Sequence, residues 1–267
     1  MVKTTRDGQI IMGSISQICS FIGCFYFFAV LSTPLARAQV PQSDWQKFYY
    51  KNPQPNRFVD EVRIRVEAGD FKEKSKGLHP AMTAFYGQIM SQNPDRIESW
   101  LEELSDMKPE ELDLLYFAAW LSDTPKARDY FRKHNLKQYL RNQSAGVLKA
   151  KLDNPTILSA LWGSFRATGD LAYVRHVVTA LDYESYVADA QKVKGGPTEV
   201  EKPKARLGVI FVMAKASLES NAKNHPLVVE HCEKILAETP DTAENASRIR
   251  NLRLILAEFK PDKYKSP

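Results

Sequence analysis

Five histidines, one cysteine beyond the first 38 residues and several neighbouring carboxylates are the side chains of this 267-residue chain that could carry metal, nucleophilic or acid–base chemistry. Their spacing argues against most of it. His225 and His231 lie six apart, whereas a metal pair on one helix face needs ligands at i and i+4. His231 and Cys232 are adjacent, and adjacent helical residues point apart. His79 and His225 precede prolines at helix starts, His134 ends a helix and His176 falls in mid-helix. The expectation is therefore no metal site, no cofactor site and no catalytic residue legible in the sequence.

The motifs that would override this are missing. The chain has no Gly-x-Gly-x-x-Gly, no phosphate-cradling Gly-x4-Gly-Lys-Ser/Thr, no Gly-x-Ser-x-Gly elbow and no His-Glu-x-x-His. Glu102 and Glu103, and Glu110, Glu111 and Asp113, crowd the starts or outer faces of helices, where they complement the helix dipole. A glycosidase needs two carboxylates facing each other across a cleft, which spacing along one helix cannot supply. An exported hydrolase with a site assembled from distant residues, for example a glycosidase on a helical scaffold, is the alternative to a non-enzymatic role. Two facing acids in an aromatic-walled cleft would favour it.

What positions these residues begins with an address. Lys3 and Arg6 precede an apolar stretch clearest from Ile18 to Leu31, followed by Pro34 and Ala36-Arg37-Ala38. That order of charge, apolar core and small residues predicts a signal peptide over 1–38, cleavage after Ala38 and a periplasmic or secreted protein beginning at Gln39. The alternative is an inner-membrane anchor, because Ile10 to Leu31 is long enough to span a bilayer if left uncut. Phe21-Ile22-Gly23-Cys24 does not make a lipobox, since Phe25-Tyr26-Phe27-Phe28 continues the apolar core beyond the cysteine.

With Cys19 and Cys24 in the leader, Cys232 remains as a single thiol that cannot form an internal disulfide; its phase with Val228, Ile235 and Leu236 makes it a core residue. Packing must therefore hold the fold, and 229 residues suffice to bury a core. Discounting Lys3, Arg6, Arg37 and Asp7, the 37 basic and 32 acidic residues fall to 34 and 31. That balance, without a basic stripe interleaved with aromatics, excludes nucleic acid as the expected partner. Asn142-Gln143-Ser144 and Asn245-Ala246-Ser247 have the glycan-acceptor pattern, which matters only in a host that uses it.

Helical periodicity runs through the rest. Ile97, Trp100, Leu101 and Leu104 share a face; Glu110 to Leu121 is apolar nearly all round and is expected to be a central, buried helix. Leu158, Leu161, Trp162 and Phe165 form the next stripe, Gly169 stops it, and Asp170 caps a helix bearing Leu171, Val174, Val178 and Leu181. Residues 191–204 mix charges, a Gly-Gly-Pro and a second proline, and read as a long surface loop. Beyond it come a helix with Leu207, Ile210, Phe211, Ala214 and Leu218, a second over Pro226 to Glu238, and a third with Ile249, Leu252, Leu256 and Phe259. The predicted organisation is an extended aromatic strap over 39–57, one all-helical domain over 58–259 and a basic flexible tail over 260–267.

Asn93-Pro94, Thr124-Pro125 and Asn154-Pro155 each put a capping side chain before a proline suited to the first turn, about thirty residues apart. With Phe165-Arg166-Ala167-Thr168-Gly169-Asp170-Leu171-Ala172-Tyr173 between two helices, this resembles tetratricopeptide-like solenoids and implies stacked antiparallel hairpins in an all-α fold. The Trp-x2-Leu-Gly-x2-Tyr signature is absent. Phe48-Tyr49-Tyr50-Lys51-Asn52-Pro53-Gln54-Pro55-Asn56-Arg57-Phe58, Ser91-Gln92-Asn93-Pro94-Asp95-Arg96-Ile97 and Ala216-Ser217-Leu218-Glu219-Ser220-Asn221-Ala222 resemble a group of exported bacterial helical proteins to which no activity is assigned. The resemblance implies no site residues. The expected function is a non-enzymatic helical interaction module or scaffold of the envelope, with another envelope protein or a peptide as partner and membrane contact only if the leader stays uncut. Trp45, Phe48, Tyr49 and Tyr50 could recognise a peptide or simply dock the strap across the helices.

Overall fold

The structure, a computed structural model, describes residues 44–72, 75, 77–192 and 203–264; the expected leader, residues 39–43 of the strap and the centre of the expected loop lie outside them. The described residues fold as helix after helix, with no strand among them. In chain order these are α1 (Asp44–Phe48), α2 (Phe58–Ala68), α3 (His79–Gln92), α4 (Ile97–Glu103), α5 (Pro109–Leu121), α6 (Pro125–Lys133), α7 (Pro155–Thr168), α8 (Leu171–Thr179), α9 (Val187–Lys192), α10 (Pro203–Asn224), α11 (Pro226–Glu238), α12 (Ala246–Phe259) and α13 (Pro261–Tyr264). No helix among the described residues is long and apolar enough to cross a membrane.

Local chemistry explains most boundaries. The Thr124 and Asn154 side chains accept the N–H of Ala127 and Ile157, and Asp170 accepts that of Ala172, so orphan donors of three first turns are satisfied as expected. Asn93 differs: its amide donates back to the Ile89 carbonyl, a 3-10 turn occupies Pro94–Arg96, and α4 starts only at Ile97. Gly169 ends α7 with φ 67°, a left-handed conformation that costs glycine little.

The axis of the molecule is α3, which buries Met82, Phe85, Tyr86, Ile89 and Met90 and lies between α5 and α7. Its backbone comes close to that of α7: a Cβ on Gly163 would sit 2.0 Å from the Ala81 carbonyl oxygen. On its other face a Cβ on Gly87 would come within 2.9 Å of the Ala118 oxygen of α5. Two apolar cores meet along this crossing. One is built on Phe58, Phe85, Ile89, Trp100, Leu115 and Phe131, the other on Leu161, Phe165, Val178, Phe211, Leu218 and Leu256. In the second half, neighbours in sequence are neighbours in space: α7 with α8, α10 with α11, α11 with α12.

Four expectations are corrected. The strap is helical rather than extended: α1 runs into a 3-10 turn at Tyr49–Lys51, and a second turn covers Pro55–Arg57. The ends of the expected loop over 191–204 are helical, since Gln191 and Lys192 end α9 while Pro203 and Lys204 open α10; residues 193–202 lie outside the described residues. Helix α5 is not central; it buries Leu112, Leu115, Ala118 and Ala119 but leaves Phe117 43% exposed, because α3 is the helix placed between neighbours. Finally, the tail does not begin as free chain. Lys260, Lys263 and the Tyr264 hydroxyl all donate to Glu233 of α11 and so dock α13.

Those donors hold the Glu233 carboxyl down at about 2. A carboxylate lowered in the folded state stabilises it fully above the ordinary value of 4.5 and loses that contribution as pH falls toward 2. The protection factors of the Lys263 and Tyr264 amides, taken against the intrinsic exchange rate at each pH, should fall across this window, and Glu233→Gln should leave both low at every pH.

Candidate functional site

The seam where the strap meets α7 and α11 gathers the residues that looked most capable of recognition. Trp45 and Tyr49, at i and i+4, lie on one side of α1 and the turn that follows it, and Phe48 sits about 100° round from Tyr49, at the edge of the same side. Trp45 and Tyr49 are buried edge-on against Phe85, with ring centroids 5.5 and 5.8 Å away, and the Trp45 indole donates to the Gln54 carbonyl at 3.0 Å. These two rings are sealed in the core, so they dock the strap. Phe48 and Tyr50 stay half-buried around His225: Phe48 lies 5.2 Å from the imidazole, Tyr50 rests 5.4 Å from Phe165, and the Tyr50 hydroxyl meets His225 Nδ1 at 3.2 Å. Nearby, His231 Nε2 donates to the Gly169 carbonyl at 2.8 Å, which fixes its proton on that nitrogen.

Charge at the seam has one sign close to His225. Burial, then Arg166, Lys47 and Lys51, push its pKa down to about 4. Lys51 lies 4.6 Å from the Phe48 ring centroid, and Lys47 donates to Asn224 Oδ1 at 3.3 Å. Burial also lowers Arg166, whose Nε is enclosed without a partner. A histidine kept neutral in the fold but protonated near its ordinary 6.5 when unfolded makes stability fall as pH drops from 6.5 to about 4. Urea midpoints should decline over that interval, and His225→Gln should flatten the decline.

A second feature lies on α5. The exposed Phe117 ring stacks on Trp120 at 5.1 Å, and the Trp120 indole donates to the Asn142 carbonyl at 2.9 Å. The segment after Asn142 lines, with Asp123, a polar cleft of about 400 Å³ formed by Asp123, Gln143, Ser144, Ala145, Gly146 and Lys149. Asp123 is held by Arg128 at 3.3 Å and by Gln143 at 2.9 Å. A further shallow cleft, about 530 Å³, follows Leu148, Asp170, Leu171, Arg175, His176 and Thr179; burial lowers the pKa of His176 there.

The remaining residues singled out by type have structural employment. Glu111 accepts the Lys108 backbone N–H at 3.2 Å, Glu102 takes Lys133 at 3.1 Å, Asp113 accepts the Tyr139 hydroxyl, and the Glu103 carbonyl accepts Arg63 at 2.8 Å. His79 bonds the Asp70 carbonyl at 3.1 Å, while His134 stacks on Tyr130 at 4.2 Å. Cys232 is fully buried, and burial pushes its thiol up to about 12, far from a reactive thiolate. Of the glycan-pattern residues, Ser247 donates to Leu181 and Glu184, and Asn245 donates to Pro240. No group of three or more His, Cys, Asp or Glu among the described residues is placed to hold a metal.

Arg166 and Lys51 lie within the segments that carry the two resemblances, but no spacing marks them, Lys47 or Phe117 as functional. The usable signal for Arg166 was its place four residues after Trp162, on the edge of an apolar stripe, where a charge must find a special environment. No family model matches this chain, and neither curated proteins nor solved structures yield a significant similarity.

Proposed function

We propose that this chain is an exported, non-enzymatic interaction module of the bacterial envelope whose helical surface binds a partner protein or peptide. The observation that carries the reading is the stacked Phe117–Trp120 pair, an aromatic platform whose indole bonds the Asn142 carbonyl, one residue before Gln143 of the polar cleft. Aromatic anchors beside satisfied polar groups are the composition of binding hot spots, because the rings offer large area at small rotamer cost. The packing of α7 on α8, of α10 on α11 and of α11 on α12 supports a stack of hairpins, an architecture that presents extended surfaces for such contacts. Carboxylates already committed to capping and ion pairing favour this reading over the hydrolase alternative.

A photo-crosslinking side chain at position 117 tests it, with the same probe at the exposed Leu254 of α12 as reference. One reproducible envelope partner captured from 117 and not from 254 is the expected result. Equal labelling from both positions counts against the platform, and hydrolysis of a glycan or peptide library by the purified protein transfers the proposal to the enzyme. Amino-terminal sequencing accompanies it: Gln39 at the front fits export with cleavage, and an intact Met1 fits the membrane tether.

A further inference from the structure

We propose that the partner of the Phe117–Trp120 platform is an acidic protein segment in which carboxylates flank an apolar anchor residue. The inference rests on the proposed function and gives the partner a chemistry.

The geometry comes from α5. Asp113, Phe117 and Trp120 lie at i, i+4 and i+7, so they share one face of that helix. The segment after α6 is bonded along this face: the Tyr139 hydroxyl donates to Asp113, and the Trp120 indole donates to the Asn142 carbonyl at 2.9 Å. Just beyond the helix, Gln143 donates to Asp123 at 2.9 Å. Phe117 therefore sits between two anchor points of the segment, with its side chain 43% exposed.

The charge of that segment has one sign. Residues 133–152 hold Lys133, Lys137, Arg141, Lys149 and Lys151 and no aspartate or glutamate. The outermost two have acids: Lys133 reaches Glu98 and Glu102, and Lys151 lies 4.0 Å from Asp153. Lys137, Arg141 and Lys149 are exposed and meet no acid among the described residues. Arg141 directly precedes the residue that receives the indole, and Lys149 lines the same cleft as Gln143. The acids of this face are already engaged, Asp113 by Tyr139 and Asp123 by Arg128 and Gln143. What remains uncommitted is positive charge beside stacked rings, the complement of carboxylates beside an apolar side chain. An anionic bilayer fits less well, because tryptophans seated in one keep the indole N–H for the wet boundary, and here it is bound to Asn142.

Selection of a random-peptide display library on the full protein tests the proposal. The enriched peptide and a counterpart with amides in place of its acids are then titrated while the Trp120 indole resonance, assigned through Trp120→Phe, is observed. Enrichment of acidic residues around an aromatic or aliphatic one is expected, and binding should shift that resonance. Loss of the peptide's acids should weaken it about tenfold, the combined worth of three exposed ion pairs. Lys137→Gln, Arg141→Gln and Lys149→Gln together should do the same at an unchanged Tm, since all three side chains are exposed and unpaired among the described residues. Phe117→Ala should weaken binding about thirtyfold, as removal of a hot-spot ring does. Neutral or basic peptides that require Phe117 overturn the acidic partner and leave the platform standing. Peptides indifferent to Phe117→Ala, or no enrichment at all, overturn both. Sedimentation with vesicles of phosphatidylcholine and phosphatidylglycerol that is lost in Phe117→Ala assigns the surface to a bilayer and overturns the proposal as well.

Discussion

Gly163→Val is expected to prevent folding, and Gly163→Ala to destabilise the protein by about 3 kcal/mol or more, the upper range for overpacking a core. The reason is what the new methyl would strike. Its 2.0 Å neighbour is the Ala81 carbonyl oxygen, with the Ala81 carbonyl carbon at 2.8 Å, so relief requires moving the backbone of α3 rather than turning a side chain. Helix α3 cannot yield alone, because its other face is pressed through Gly87 against α5. Equilibrium urea unfolding of Gly163→Ala, Gly87→Ala and Gly77→Ala should order these variants from most to least damaged. At Gly77 nothing lies within 4 Å of the added carbon, so that substitution should be close to neutral. Equal midpoints for Gly163→Ala and Gly77→Ala would mean that α3 and α7 are not seated as described.

Phe165→Ala should cost about 3–5 kcal/mol, the usual toll of emptying a buried phenylalanine site. Phe165 is fully buried and touches Tyr50, Trp162, His225 and His231, with centroids between 5.4 and 6.1 Å. Its loss removes the floor beneath Tyr50, so the damage should reach the strap before the rest of the chain. Limited trypsin digestion reads this directly: cleavage after Lys47 and Lys51 should become rapid in native buffer while the remaining fragment stays intact. Unchanged protection of both lysines in a protein of lowered midpoint would show that the strap is held by Trp45 and Tyr49 alone.

Helix identity was legible because apolar periodicity survives translation into packing. Ile97, Trp100, Leu101 and Leu104 are all buried, as are Val174, Val178 and Leu181, and the caps at Thr124, Asn154 and Asp170 form as their residue types require. The order of helices in depth was not legible. Helix α5 is the more apolar in sequence, yet α3 takes the centre because Gly87 and the Gly163 opposite it allow backbone to approach backbone, a property that hydrophobicity does not encode. Proline content suggested an extended strap, but the prolines at 53 and 55 restrict only the residues beside them, and α1 precedes both. At the site, residue type identified the aromatic cluster and could not divide it. Which rings are sealed and which face His225 depends on a partner 175 positions away in the chain.

That separation sets an order of events during synthesis. Phe48 and Tyr50 leave the ribosome early, while the imidazole that receives them is made 175 residues later, an interval of roughly 10–35 s at ordinary elongation rates. Until then two large rings and two lysines stand without their socket, a sticky cationic bait for any holding chaperone. Moving the α1 segment to the carboxyl end by circular permutation would make bait and socket appear almost together, and dependence on chaperones during expression should drop accordingly.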